Sequence, residues 1–283
     1  MELHLAGESG SPVLLLLPEE PFEAEEYFTA LKGLEKDYRL LLPVFAEGED
    51  RAGVLGSALN DDYAGRIWGA WGCREGAGLL LSLIANGSVS VHTVILEGGF
   101  ELPGDTHPLR DTGLVCWINA RDKAAKKSYK ALSEHLTPTS VLTMKKLKKA
   151  QTLFSVRPDM MEKQLRRSLG YAVTVQSSAV LTQNADSVWS VLRRGKVSEE
   201  QRLFPDSLTL RSQPDRRVIV VEGSSPHISR WSHLTRVSER GDRTVCTDQV
   251  EVDAGKLNPV AVPLTRLLLK KQQRARSRAL RKR

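Results

Sequence analysis

The sequence predicts two domains in series: an α/β layer structure built on a mostly parallel sheet, then an α+β domain of antiparallel strands closed by one long C-terminal helix. Three observations predict this. Strand-like apolar runs alternate with helix-like stretches over the first half of the chain, as strand-helix-strand crossovers require. From about Leu169 the texture changes to strand-like runs separated by turn residues. The last stretch has helical spacing and a strongly basic character.

Val13 to Leu17 is a continuous apolar run stopped by Pro18, and Tyr38 to Pro43 is a second. Unbroken runs of this kind suit central strands covered on both faces. Between them Phe22, Tyr27, Leu31 and Leu34 fall at near-helical spacing, which predicts a crossover helix from Phe22 to Glu35. Ile67 to Trp71 starts the next unit, the chain turns sharply over Gly72 to Gly76, and Ala77 to Ile84 continues as a buried helix. Thr93 to Leu96 is a further strand, broken by Gly98 and Gly99. Leu114 to Ile118, a helix over Ala124 to His135, and a last strand at Ser140 to Thr143 complete the alternation.

In the second region Val173 to Leu181 is a long strand, and Asn184 caps a helix containing Val188 to Leu192. Ser207 to Leu210, Val218 to Val221, Ile228 to Val237 and Thr244 to Val252 are four more strands. Turns fall at Gln213 to Asp215, Gly223 to Pro226 and Glu239 to Asp242. The domains are expected at residues 1–167 and 170–283.

Composition narrows the function. With 41% hydrophobic and 27% charged residues the chain is globular. The Val13 to Leu17 run falls far short of the roughly 20 apolar residues a helical membrane span needs, and the N-terminus lacks a basic-then-apolar leader, so a cytoplasmic location is expected. Cys73, Cys116 and Cys246 lie far apart, without zinc spacing, and no metal or cofactor is expected. Residues 264–283 carry nine of the 41 basic residues and no acid, leaving 32 basic against 34 acidic residues elsewhere. The net charge of +7 therefore belongs to one helix, and nucleic acid is not the expected partner of the whole chain.

The fragment Gly72-Cys73-Arg74-Glu75-Gly76, between a strand and an apolar helix, has the context of the G-x-S-x-G turn that lifts a nucleophile above a sheet. With the Leu-Leu-Leu-Leu-Pro run at 14–18, Val94 to Gly99 after the helix, and Gln151 to Pro158, it resembles the small, capless α/β hydrolases over roughly residues 3–167. On this resemblance Arg74 stands at the serine's place and Ala150 at the histidine's. Glu19 and Glu20 lie where the family has its oxyanion loop. Asp122 is the nearest carboxylate to the acid position, though it also suits a helix cap. A guanidinium stays protonated up to about pH 12 and can neither attack nor accept a proton, so the resemblance implies a pseudoenzyme. Arg74 is expected to pair with Glu19, Glu20 or Glu97 or to turn to solvent. The six histidines show no metal-binding or base-catalyst spacing.

Val173 to Leu192, Thr244 to Val252 and Asn258 to Gln273 resemble the first strand and helix, the last strand and the closing helix of the polyketide cyclase and START-like superfamily, the helix-grip fold. Members usually have six or seven strands around an apolar cavity, and only about five are counted here. The resemblance implies a small apolar ligand lined by Trp189, Phe204, Trp231, Leu264 and Leu268. In the terminal helix Leu264, Leu267, Leu268, Ala275 and Ala279 are expected to form one buried stripe. A sharper reading has Arg274 to Arg283 emerge as a basic tip touching nucleic acid or an acidic partner; without interleaved aromatics, base stacking is not indicated. The expected function is a non-catalytic binding or scaffold protein. The other readings are a cyclase- or dehydratase-like enzyme using Asp248 or Glu251, and an interaction module acting through the basic helix.

Overall fold

The computed structural model describes residues 1–109, 112–145, 147–148, 151–170, 173–195, 204 and 207–281. It divides into two compact units, Met1–Gly170 and Tyr171–Arg283.

The first unit carries a seven-stranded sheet in the order β1-β3-β2-β4-β5-β6-β7. Its strands are β1 (Glu2–Ala6), β2 (Val13–Leu17), β3 (Arg39–Val44), β4 (Arg66–Cys73), β5 (Ser90–Glu97), β6 (Gly113–Asn119) and β7 (Ser140–Met144). All neighbours are parallel except β1, which runs antiparallel to β3 at the edge. Every residue of β2 and β4 is buried, and β2 accordingly reads as an unbroken apolar run. The helices are α1 (Ala24–Ala30), α2 (Arg51–Tyr63), α3 (Glu75–Ala85), α4 (Lys123–His135), α5 (Leu153–Val156) and α6 (Pro158–Leu169). On one face Leu15, Leu17, Ile67, Ala70, Val94 and Cys116 of the strands pack with Leu55 and Leu59 of α2, Leu80 and Leu81 of α3 and Leu132 of α4.

The single crossover helix expected over 22–35 is divided: α1 ends at Ala30 and a 3-10 turn follows at Lys32–Lys36. Gly33 sits there against α6, where an added Cβ would lie 2.2 Å from a Glu162 carboxylate oxygen. Glycine favours this close approach and weakens a continuous helix. α6 buries Met161, Leu165 and Leu169 at four-residue spacing. Its end is fixed by Trp68 Nε1 donating to Leu169 O at 3.2 Å and Tyr38 Oη donating to Gly170 O at 3.0 Å.

The second unit is a five-stranded, fully antiparallel sheet in the order β8-β12-β11-β10-β9. These are β8 (Val173–Leu181), β9 (Thr209–Gln213), β10 (Val218–Ser225), β11 (Ile228–Arg240) and β12 (Arg243–Asp253), with helices α7 (Ala185–Gly195) and α8 (Asn258–Arg281). Asn184 Oδ1 accepts from Ser187 N at 2.8 Å, as its place before α7 predicts. The fold class is as expected: a mostly parallel three-layer α/β unit, then an antiparallel sheet with a long C-terminal helix, the helix-grip arrangement.

The orientation of α8 corrects the sequence reading. Leu264 and Leu267 are 59% and 63% exposed, and Ala275 and Ala279 also face outward. The inward stripe is Thr265, Leu269, Gln272, Arg276 and Leu280, with Leu268 half-buried beside it. Three of these five residues are polar because the sheet beneath carries a polar layer too, so apolar spacing alone selected the wrong face. No helix of the described residues is long and apolar enough to cross a membrane.

Candidate functional site

In the first unit the site grows from one reversal of the chain. β4 ends at Cys73, α3 begins at Glu75, and Arg74 joins them at φ 51°, ψ −110°. A side chain at positive φ is costly and persists only where the surroundings fix it. They do so here: Arg74 N donates to Glu97 O at 2.8 Å, and Arg74 O accepts from Ala77 N and Gly78 N at 3.0 and 3.1 Å. The flanking glycines let the helix close onto the sheet. A Cβ on Gly72 would lie 2.6 Å from Ala77 Cα, and one on Gly76 would lie 2.2 Å from the Leu17 carbonyl oxygen of β2. Both obstacles are backbone.

The Arg74 side chain at the tip donates to Glu19, from the loop after β2. Glu20 instead binds Arg51 of α2 at 2.7 Å. Glu97 is fully enclosed and takes a structural part: its carboxylate accepts from Trp71 Nε1 at 3.1 Å and from Leu153 N at the start of α5. Burial pushes the Glu97 carboxyl up to about 7, against the lowering effect of those donors and of Arg74. Asn119, at the end of β6, donates its amide to Lys148 O at 2.6 Å and Gln151 O at 3.1 Å. A carboxylate could not make those two bonds, because it only accepts. Glu97 and Asn119 therefore fix the two ends of the segment 148–153; Ala150 within it lies outside the described residues.

Asp122 caps α4, accepting from Ala124 N and Ala125 N at 2.9 and 3.2 Å. Burial, with Glu97 nearby, pushes the Cys73 thiol far above its ordinary value, so it offers no thiolate. Tyr27 stacks on Phe154 with centroids 3.7 Å apart and lies 6.0 Å from Trp71. The crevice beside the reversal, lined by Leu17, Pro18, Glu20, Phe45, Arg51 and Gly76 among others, holds about 20 Å³. That is room for about one water.

In the second unit the five residues expected around a ligand divide: Phe204, Trp231 and Leu268 share one cluster, Trp189 lies in another, and Leu264 is in neither. Trp189 is buried with Val188, Leu192, Ile219, Val237 and Leu280. Phe204 and Trp231 meet with ring centroids 5.6 Å apart, and Val175, Val250, Val252, Leu269 and the edge of Leu268 pack around them. Leu264 is outside both groups, on the solvent side of α8. Between the two apolar clusters lies a polar layer that the sequence reading did not assemble. Asp248 Oδ1 lies 3.0 Å from His233 Nε2 and accepts from Thr235 Oγ1 at 2.5 Å, while Oδ2 accepts from Arg276 of α8 at 2.6 Å. Gln273 donates to Ser177 Oγ at 2.8 Å nearby. Burial works against ionisation of Asp248, but His233, Arg276 and Thr235 together outweigh it and hold the carboxyl well below the usual range. The strand phase held the signal: Cys246, Val250 and Val252 are inward, so Asp248 is inward and Glu251 faces the other way.

A carboxylate so stabilised is a weak base, and its oxygens are already engaged. Among the described residues no group of His, Cys, Asp and Glu is placed to hold a metal ion. Trp231 Nε1 and Gln272 Oε1 are buried and meet no hydrogen-bond partner among the described residues.

No protein-family model matches the chain. No curated protein matches it either. Among solved structures, an alpha/beta hydrolase family protein from Desulfitobacterium hafniense superposes with a TM-score of 0.52 at 17% identity, covering 60% of this chain and 100% of that one. A START superfamily protein from Mycobacterium smegmatis covers 38% of this chain and 97% of its own, at 11% identity and a TM-score of 0.31. An aromatase/cyclase from Streptomyces sp. R1128 covers 38% and 91%, at 16% identity and a TM-score of 0.27. At 17% identity the likeness to the first of these concerns fold alone, an α/β-hydrolase-like first unit.

Two expectations follow from the first-unit geometry. Gly76→Ala should lower unfolding free energy by about 2 kcal/mol through its backbone clash, whereas Gly78→Ala on the same helix, with nothing nearer than 3.9 Å, should be neutral or stabilising. Urea titration of both variants checks this. Glu97 ionises at a higher pH when folded than its ordinary value of 4.5, so its stabilising contribution is full below that pH. It is lost as pH rises through about 7, a change on the order of 3 kcal/mol. Glu97→Gln should flatten that slope in denaturation series at several pH values, and an unchanged slope would refute the assignment.

Proposed function

We propose that this chain is a pseudo-hydrolase joined to a helix-grip domain, acting as a binding or scaffold protein without acyl-transfer chemistry. The observation that carries the reading is Arg74 at the tip of the strand-to-helix reversal, held there by Glu19. A permanent cation replaces the nucleophile. Ala150, at the histidine's place on the sequence resemblance, has no side chain that accepts a proton. Nucleophile and base act as a unit, so losing both removes nearly all of the rate. The Glu19 carboxylate adds negative charge where an oxyanion would need donors. The nearby crevice of about 20 Å³ has no room for an acyl group. The reading places the protein in the cytoplasm and requires no cofactor.

A fluorophosphonate probe should label nothing, and short p-nitrophenyl esters should not turn over above background. Arg74→Ser should stay inert, because a hydroxyl without a base is a poor nucleophile. Labelling or turnover by the wild-type protein would sink this reading.

A second reading, that the helix-grip unit holds a largely apolar small molecule, draws support from one observation. Trp231 Nε1 and Gln272 Oε1 offer a buried donor and acceptor beside the apolar Phe204 and Leu269 cluster. Buried polar groups ordinarily find partners. Native mass spectrometry of freshly purified protein should then show a retained mass that Trp231→Phe diminishes; identical single-species spectra for both proteins would count against it.

A further inference from the structure

We infer that the outer face of α8 docks an acidic, amphipathic helix of a partner protein, lying antiparallel to α8. The inference rests on the binding-protein reading and names the partner's chemistry. The 24 residues of α8 contain no Asp or Glu. Its inward stripe is committed to the sheet, but a second stripe faces solvent. Val260, Leu264 and Leu267 are 60%, 59% and 63% exposed, and Lys271, Arg274 and Arg278 continue the same line, all exposed. The steps along it are four, three, four, three and four residues, the spacing of a coiled-coil seam. Exposed aliphatic side chains gathered in a row, unlike scattered ones, mark an interaction face.

Charge and shape select the occupant. A parallel second copy would set Lys271, Arg274 and Arg278 against themselves, and an antiparallel copy would set leucines against arginines. A membrane needs a broad apolar face along the helix, whereas this stripe is one side chain wide and apolar over only half its length. Nucleic acid would use the cations and leave the leucines in water. A partner helix with leucines in one half and carboxylates in the other satisfies both halves. Antiparallel pairing brings the partner's N-terminus to the C-terminus of α8, opposing the two helix dipoles. It also puts the partner's acids in its own first turns, where they are favoured.

The test uses the full chain and two labelled helical peptides of equal composition and about three heptads, read by fluorescence anisotropy. One carries glutamates at the seam positions of its first half and leucines at those of its second; the other has these residues scrambled. The ordered peptide should bind saturably, and more weakly as salt rises. Leu264→Gln with Leu267→Gln should weaken binding about tenfold or more, and Lys271→Glu with Arg274→Glu should weaken it comparably. These positions are exposed, and circular dichroism of each variant serves as the check on its folding. Equal binding of the scrambled peptide, no loss in the leucine variant, or no binding at all overturns the inference. So does a preference for phosphatidylserine vesicles over the peptide, or self-association in sedimentation. Inertness toward the fluorophosphonate probe is independent of all these outcomes, so failure here leaves the pseudo-hydrolase reading standing.

Discussion

The reversal at Arg74 depends on contact between two backbones. α3 can begin directly above the end of β4 only because Gly76 lies against the Leu17 carbonyl of β2 and Gly72 against the first turn of α3. That contact places the helix over the sheet, brings Arg74 N to Glu97 O, and so sets β5 beside the tip. The geometry is indifferent to which side chain occupies the tip, provided the backbone accepts positive φ. A reactive hydroxyl and an inert guanidinium fit the same scaffold, which is why fold and chemistry can part company here.

Around that tip, groups suited to catalysis elsewhere hold structure together. Glu97 is buried and receives two donors, Asn119 spends its amide on two carbonyls, and Asp122 closes a helix end. In the second unit Asp248 is a stronger case. A buried ionised carboxylate is tolerable only with compensating charge and hydrogen bonds, and three side chains from β11 and α8 provide them.

How much of this was legible follows from the physics of each element. β2, β3 and β4 were plain because central parallel strands are covered on both sides and, beyond Arg39 and Arg66 at the starts of β3 and β4, carry no polar interruption. α2 was missed because its core contacts come from Leu55, Gly56 and Leu59 among small residues, too little apolar surface to show a period. β1 is an exposed edge strand without a continuous run. The Gly72 to Gly76 turn was legible because closely spaced glycines between strand and helix have few other uses. The face of α8 was misread, since Thr265, Gln272 and Arg276 point inward and leucines point outward. The pairing of Arg74 with Glu19, rather than Glu20 or Glu97, depends on loop geometry that spacing does not encode.

The contact between Arg276 and Asp248 makes the last helix part of the sheet's charge balance rather than a detachable appendage. A chain terminated before residue 276 would leave an anion inside the strands without its guanidinium. Loss of the final turns would therefore be felt first as unfolding of this unit, and only secondarily as loss of whatever its outer surface recognises.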